Sequence, residues 1–591
     1  MRSLPPRHSS TMQRFARRRQ RGATAVLAAV WIGTAVASLG ALDVGNVYLM
    51  RRQLQRTADL AAVAGAQTIG MAGGCAGATT SAQQAAVRNG YTGDTPVSVT
   101  CGRWSTASGA AQFDASGATP LNAVQVTATQ SVNHFFIGPA RDVQAVATAK
   151  ASDTASFSLT SNLASLSGGA VNGLLGALLN ANVSLDVATW QALASTNVRL
   201  GDLATQLGAA SINELLGAKV TVSNLASAMA SVLSRNNIAS ANVISALTTV
   251  QAAASGGVAI ALGDGGSGAP GLLAIGLADK QAAASASISA LDALLVAAEL
   301  AHGTSALDLG AALNPSAIPG ITLPASLTAK AAILQPPVIA VGEAGVDGTG
   351  AYRTSAHAAQ VRVFLDLNLS VASLATVDLP LAIEGANGTA GLAQTQCAST
   401  KAASTSTVRV SSTNVAQVCL GQDAGLNLTN TTSAMRCQQP ARLASLTIPL
   451  PLLPPVTVDV NAGRATPLSG LNLSLGAMNP ATLTFNGQTG DGDDYQSVNA
   501  NALGSATGGL LGQVMAQLPG SLFLTVGGAS VGSDVLNAAL SPLQNLTNAL
   551  QPVLGSLDTV LVPLLQLLGV QVGVSTVHAI SLSCSDAQLV N

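Results

Sequence analysis

The chain has 591 residues, of which 9% are charged, 48% are hydrophobic and only 3% are aromatic. The charged fraction lies far below the roughly 25% that is typical of soluble domains. The aliphatic content is nevertheless high enough to bury a core, which argues against a disordered chain. We therefore expect a folded, weakly charged protein whose length allows about three or four domains.

The net charge of -1 hides an uneven distribution. Ten of the 26 basic residues lie at or before Arg56, while Asp43 and Asp59 are the only acids among the first 60 residues. The remainder carries 16 basic and 25 acidic residues, a net charge of -9. This remainder has no stripe of basic residues that could bind phosphate groups, so we expect no nucleic-acid partner.

Residues 23–42 read ATAVLAAVWIGTAVASLGAL and contain no charge. Twenty helical residues rise about 30 Å, which matches the hydrocarbon core of a bilayer. Seven arginines precede this span and three follow it, which predicts a cytoplasmic amino terminus. We expect a cytoplasmic segment over residues 1–22, a single transmembrane helix over 23–42 in a bacterial inner membrane, and a periplasmic remainder.

A cleaved secretory signal is the alternative, because Ala35-Val36-Ala37 follows a basic region and an apolar stretch. Apolar spacing that runs on as far as Ala58 favours an uncleaved helix. Cleavage would make the protein a secreted or surface-displayed adhesin or a structural protein of the cell envelope.

The helix is expected to continue over residues 43–70 as a periplasmic stalk. Leu54, Ala58, Ala61 and Gly65 recur at helical spacing and form a stripe of mostly small residues. Small residues allow another helix to approach closely. The stripe could equally pack on the protein's own globular domain.

The rest of the chain is predicted to be α+β. Residues 71–152 alternate between helical and strand patterns and form a small α+β domain. Residues 153–330 are Ala/Leu-rich and mainly helical, with a recurring pattern, Val-x-Leu-x-x-Leu-Ala at Val198 and Val-x-Val-x-x-Leu-Ala at Val220, that suggests short strand-to-helix units. Residues 331–591 are β-rich, with a Leu-rich helical part over 533–570 and six strand candidates between Gly, Pro and Asn residues.

The six cysteines show no CxxC motif and no zinc-ligand spacing. An even number of cysteines outside the cytosol favours disulfides, although buried free thiols are possible. Cys75 and Cys101 bracket one helix and one strand, and we expect them to pair. The connectivity of the remaining four stays open, and the full set of candidates is Cys75, Cys101, Cys397, Cys419, Cys437 and Cys584.

Several motifs with possible chemistry are weak. Gly-Ala-Ser-Val-Gly around Ser530 resembles a nucleophile elbow, with Asp534 or Asp558 and then His578 in the required order. Glycine and serine are abundant here, and no oxyanion-hole segment precedes the motif. A Gly-x-Gly-x-x-Gly at Gly263 is followed by Pro270 and lacks its acidic partner. The acidic loop at 491–494 lacks the distal Glu of an EF-hand. We expect no enzyme activity, catalytic residue, cofactor or metal.

The beginning of the chain resembles TadG-like proteins of tight-adherence (Flp) pilus assembly. The similarity lies in RRRQRGATAV…ALDVGNVYLMRRQLQRTADLAAVAGA, at Arg21, Gly22, Asp43, Val44, Gly45, Arg51, Arg52, Gln53, Leu54, Gln55, Asp59 and residues 64–66. A following module is also similar, at Cys101, Gly102, Arg103, Trp104, Phe113, residues 121–126 and HFFIGPARDVQAVATAKAS.

The resemblance implies a non-enzymatic, membrane-anchored component whose partners are other pilus-assembly proteins or pilin subunits. Processed pilins of this system carry Glu five residues after the cleaved glycine, whereas Leu27 stands there in this chain. We therefore expect Gly22 to remain joined to Ala23. The metal-binding DxSxS triplet of some relatives is absent.

Overall fold

The structure, a computed structural model, confirms a mixed α+β protein with a long apolar helix near its amino terminus. It describes residues 20–105, 112–116, 119–136, 138–159, 168–265, 269–277, 280–309, 326–371, 374–385, 388–412, 416–428, 435–448, 456–474, 480–499, 514, 516–526, 529–530, 568, 574–584 and 587–590. The Leu-rich helix expected over 533–570 lies, apart from Leu568, outside these residues.

The small domain consists of two helices and an antiparallel sheet. Its elements are α1 (Gln20–Ala66), α2 (Gly74–Arg88), β1 (Ser98–Ser105), β2 (Gln112–Asp114), β3 (Ala123–Val132) and β4 (Arg141–Ala151). The polar/apolar alternation of β3 buries Val124, Val126 and Ala128 on one face, as a period of two residues requires. The second half of α1 and the whole of α2 pack on that face.

A mainly helical region follows strand β5 (Thr154–Leu159). Its elements are α3 (Gly168–Leu179), α4 (Val187–Ala194), β6 (Asn197–Arg199), α5 (Leu200–Gln206), α6 (Ile212–Gly217), β7 (Lys219–Thr221), α7 (Val222–Arg235), α8 (Ala241–Ala253), β8 (Ala259–Ala261), β9 (Leu273–Gly276), β10 (Ser287–Ser289) and α9 (Ala290–His302). The recurring pattern that begins at Val198 and at Val220 forms the units β6–α5 and β7–α7, in which a short strand leads directly into a helix. The strand-to-helix prediction is therefore confirmed there.

The rest is β-rich, and all six strand candidates form strands. The elements are β11 (Leu307–Asp308), β12 (Ser326–Gln335), β13 (Ile339–Gly342), β14 (Ser355–His357), β15 (Gln360–Val371), β16 (Leu374–Gly385), β17 (Thr389–Gln396), β18 (Thr405–Ser412), β19 (Ala416–Leu420), β20 (Ala441–Ile448), β21 (Val456–Ala462), β22 (Arg464–Ala465), β23 (Leu468–Ser469), β24 (Leu471–Ser474), β25 (Ala481–Asn486), β26 (Tyr495–Asn499), β27 (Leu522–Val526), β28 (Ala529–Ser530), β29 (Val574–Ser583) and β30 (Ala587–Val590).

These strands form three larger sheets. The long sheet has the order β11-β12-β15-β16-β20-β21-β27-β28, with β19 joining β16 to β24. The middle sheet has the order β26-β29-β5-β13-β9, and the four-stranded sheet has the order β14-β17-β18-β25. Phe157 of β5 and Phe485 of β25 belong to one buried cluster, so the middle and four-stranded sheets pack face to face.

The opposite face of the middle sheet packs on the helices. Ser158 alternates with Phe157 along β5 and contacts Asp292 of α9 instead of the four-stranded sheet. Residues 290–299 of α9 are all buried, so this helix lies inside the core of the protein. The middle sheet is therefore covered on both faces.

The carboxyl-terminal strand returns to the small domain. Strand β30 pairs antiparallel with β4 and completes the order β2-β1-β3-β4-β30. A strand from the last residues of the chain therefore closes a sheet that begins near residue 98, a long-range pairing that local sequence patterns do not reveal.

Candidate functional site

Helix α1 has two contrasting halves. It is a helix long and apolar enough to cross a membrane, and its most apolar 18-residue window is entirely unburied. Trp31 is 72% exposed and Val26 is 65% exposed. Among the described residues it is the one helix that meets this test of length and composition. These features indicate single-pass anchoring at the amino-terminal end.

The second half of α1 packs on its own domain. The predicted stripe of small residues is buried there: Leu54, Ala58 and Ala61 are each at most 3% exposed. A Cβ atom placed on Gly65 would lie 3.1 Å from Cγ1 of Val124 and 3.2 Å from the carbonyl oxygen of Ala78. The stripe therefore serves intramolecular packing, the second of the two alternatives left open by the sequence.

Asp43 lies where the exposed half of α1 meets the small domain. Its carboxylate accepts hydrogen bonds from the backbone N–H of Phe135 at 2.6 Å and from that of Phe136 at 3.3 Å. Asp43 is buried, whereas both phenylalanine side chains are exposed. The sequence marked Asp43 as the first charge after the span and as one of the positions that resemble TadG-like proteins, but it did not reveal the hydrogen-bond partners, which lie about 90 residues away.

All six cysteines lie in disulfide geometry. The pairs are Cys75–Cys101, Cys397–Cys584 and Cys419–Cys437, with Cα–Cα distances of 5.9, 5.9 and 5.5 Å. These distances fall within the range that disulfides require. Cys419 lies inside strand β19, so its bond to Cys437 ties a strand to the segment that precedes β20.

The Cys397–Cys584 disulfide contributes to a connection between segments near the two ends of the chain, which we call the β30 clasp. The backbone N–H of Cys397 donates to the carbonyl oxygen of Gly70, at the turn between α1 and α2, and Cys584 directly follows β29, three positions before β30 begins. Asp153 lies within 4.8 Å of both sulfur atoms. Bonded sulfurs offer no thiolate to a metal, so this group is not a metal site.

A buried ion pair makes a second connection. Arg103 of β1 binds Glu343, which directly follows β13, and both side chains are 6% exposed. The Nη1 atom of Arg103 also donates to the carbonyl oxygen of Pro120 at 2.8 Å, and Arg353 donates to that of Thr119 at 3.3 Å. The small domain and the β-rich part of the chain therefore share a polar, buried junction.

Ser530 and His578 of the nucleophile-elbow motif lie in different sheets. The backbone of Ser530 pairs with Thr525 in the long sheet, whereas His578 belongs to the middle sheet and its Nδ1 lies 2.8 Å from Oδ2 of Asp292. Asp534 and Asp558 lie outside the described residues. The carboxylates of the acidic loop accept hydrogen bonds within that loop, from the amides of Asn486, Gly490 and Asp493 among others.

His578 belongs to a buried polar cluster that sequence reasoning missed. Oδ2 of Asp292 also accepts a hydrogen bond from Ser158 at 2.7 Å, and the ring of Tyr495 stacks on His578 at 4.1 Å. Asp292, His578 and Ser158 are each 3% exposed. Burial raises the pKa of Tyr495 well above its usual value. This inaccessible cluster joins α9 to the middle sheet.

Comparison with known proteins places these elements in families. Residues 22–68 match the family described as putative Flp pilus-assembly TadE/G-like, and residues 64–149 match the putative Tad-like Flp pilus-assembly family. Residues 167–299, the helical region, match a domain of unknown function. No curated protein and no solved structure matches the chain. The two adjoining matches cover the anchor helix and the small domain, and this amino-terminal part of the chain is similar to the TadG-like proteins of Flp pilus assembly.

Proposed function

We propose that this protein is a non-enzymatic component of the Flp pilus-assembly machinery that crosses the bacterial inner membrane once. Its amino terminus lies in the cytoplasm and its ectodomain in the periplasm. One observation carries the proposal: an exposed apolar helix continues without a break into the core of a Tad-type domain. Such a helix fixes the domain rigidly at the membrane surface.

Charge and cysteine chemistry support the orientation. Seven arginines precede the span and three follow it, and the more basic flank of a span stays in the cytoplasm. The ectodomain contains three disulfide pairs, which form and persist in the oxidising periplasm. Both arguments favour a periplasmic ectodomain.

A mechanical role agrees better with the side chains than a catalytic one. Ser158 and His578 of the middle sheet both contact Asp292 of α9, and all three residues are buried. A substrate cannot reach groups that are closed to solvent. We therefore propose that the ectodomain contacts pilin subunits or other assembly proteins instead of transforming a substrate.

A topology measurement tests the proposal. Alkaline phosphatase, active only after export, is fused behind residue 591 of the complete chain. We expect an active fusion that fractionates with inner membranes. Replacing Arg17, Arg18 and Arg19 by glutamine leaves four arginines before the span and should lower the active fraction, because the charge bias across the span shrinks.

Two results would contradict the proposal. A silent fusion of normal abundance would place the ectodomain in the cytoplasm. A soluble mature form beginning near Ser38 would instead show signal cleavage and favour the adhesin or cell-envelope alternative.

A further inference from the structure

We propose that the loop segment that follows β3, residues 133–136, is a second membrane contact in which Phe135 and Phe136 insert into the lipid interface beside α1. The inference rests on the proposed membrane anchoring and adds a lipid-binding surface to the small domain. The partner that we propose for this surface is the lipid bilayer.

The loop exposes an unusual amount of aromatic surface. Phe135 is 68% exposed and Phe136 is 56% exposed, with ring centroids 6.3 Å apart. By contrast, Phe157 and Phe485 are each 1% exposed. Removing a phenylalanine side chain from water contributes about 1.5–3 kcal/mol. Adjacent exposed apolar side chains mark a surface that contacts a partner or a membrane.

Hydrogen bonds fix the depth of this loop along α1. The N–H groups of Phe135 and Phe136 both donate to Asp43, and the side-chain amide of Asn46 approaches the carbonyl oxygen of Asn133 at 3.5 Å. Helical rise places Asp43 about 30 Å from Ala23, one hydrocarbon thickness away. The two phenylalanines therefore lie at the periplasmic boundary of the hydrocarbon core.

The surface of α1 stays apolar beyond Asp43. Asp43 itself is 3% exposed because the loop covers it, whereas Val44 is 70% exposed and Tyr48 is 63% exposed. The next charged residue is Arg51, about 12 Å further along the helix. Tyrosine is enriched in the interfacial zone of membranes, and arginine suits its outer edge.

Continuity of these surfaces selects lipid as the occupant. The exposed phenylalanines adjoin the apolar face of a helix that already requires a bilayer, and both lie on the membrane side of Arg51. An insertion of this kind would hold the small domain against the membrane and restrict its tilt, because two contacts define an orientation that one helix leaves free.

Tryptophan quenching by lipid tests the inference in the full-length protein. The protein is placed in nanodiscs whose lipids carry bromine near the headgroup end of the acyl chain. The starting variant is Trp31→Phe, which leaves Trp104 and Trp190, at 8% and 2% exposed. Phe136→Trp is added to it, with Val258→Trp as the matched control because Val258 is 67% exposed in the ectodomain.

We expect brominated lipid to remove most of the emission added by Phe136→Trp and none of that added by Val258→Trp. Equal emission from Phe136→Trp in brominated and ordinary lipid would overturn the inference. The exposed phenylalanines would then be a contact surface for a pilin or for a second copy of the chain. Trp31 lies near the middle of the span, so its quenching in the unmodified protein by lipids that carry bromine near the end of the acyl chain reports the anchor separately. An unquenched Trp31 would overturn the membrane anchoring and, with it, this inference.

Discussion

Asp366 and Asp378 bring two carboxyl groups together on neighbouring strands of the long sheet. Burial, followed by the hydrogen bond and the charge of Asp378, raises the pKa of Asp366 to about 6. Its ordinary value is 3.8. Because the folded state holds this proton more tightly, the group's contribution to stability falls as the pH rises from about 4 to about 6.

Asp366→Asn should therefore stabilise the protein at pH 7.5 and have little effect at pH 4. Thermal unfolding of the purified protein at both pH values measures this difference. Asp378→Asn should give a smaller gain at pH 7.5, because it removes the repulsion between the two carboxylates but leaves Asp366 partly buried, and the double variant should gain little more than Asp366→Asn alone. A melting temperature that rises equally at both pH values would contradict the assignment to this pair.

The stalk half of α1 depends on the lack of a side chain at Gly65. Gly65→Leu should destabilise the small domain by about 1–3 kcal/mol, as overpacking in a filled core does. Gly45→Leu is the matched control in the same helix, because a Cβ there would meet nothing within 4 Å. Chemical denaturation in detergent compares the two. Equal losses would show that α1 does not pack here as described.

Strand β30 is held at the edge of the small domain by the Cys397–Cys584 bond. The bond closes a loop with a sequence separation of 187, against 18 for Cys419–Cys437. On the chain-entropy model these loops are worth about 5 and about 3 kcal/mol. Cys397→Ser/Cys584→Ser should therefore destabilise the protein more than Cys419→Ser/Cys437→Ser.

Hydrogen exchange gives a local measurement of the same clasp. Loss of the Cys397–Cys584 bond should speed exchange at residues 148–151, the partners of β30, because the edge strand frays. The Cys419–Cys437 variant should leave these amides unchanged. Unchanged exchange in both variants would mean that β30 is held by its backbone pairing alone.

At the scale of the whole molecule, the Arg103–Glu343 pair connects the small domain to the β-rich part of the chain. Removing one partner of a buried pair leaves an uncompensated charge and costs about 3–5 kcal/mol. We expect such losses for Arg103→Met and for Glu343→Leu, and a double variant that loses less than their sum. Arg353→Met, which removes a half-exposed hydrogen bond at the same junction, should cost less.

A double-mutant cycle of unfolding free energies measures the coupling between Arg103 and Glu343. Additive losses would show that the two side chains do not interact. If Arg103 and Glu343 are coupled, a force applied to the rest of the chain is transmitted to the anchor helix through this junction and through the β30 clasp.

Much of the local structure could be predicted from the sequence. Twenty uncharged residues after a basic run indicated the anchor, alternation of period two indicated β3, and the Gly, Pro and Asn residues that bound it indicated β15. These signals are local, because a helix or a strand reports its environment every few residues. The family resemblance was also local, since the residues that carry it adjoin the anchor.

The long-range contacts could not be predicted, because they depend on the path of the chain. Three of these contacts join segments that are between about 90 and more than 400 residues apart. They are the hydrogen bonds from Phe135 and Phe136 to Asp43, the pairing of β30 with β4, and the Cys397–Cys584 disulfide. The sequence by itself determined an apolar helix, a basic flank and alternating strands, because these follow from short-range periodicity and charge. Only the tertiary structure decided which side chains cover Asp43 and which strand closes the small domain, because the free energy of those contacts is gained only once distant segments have met.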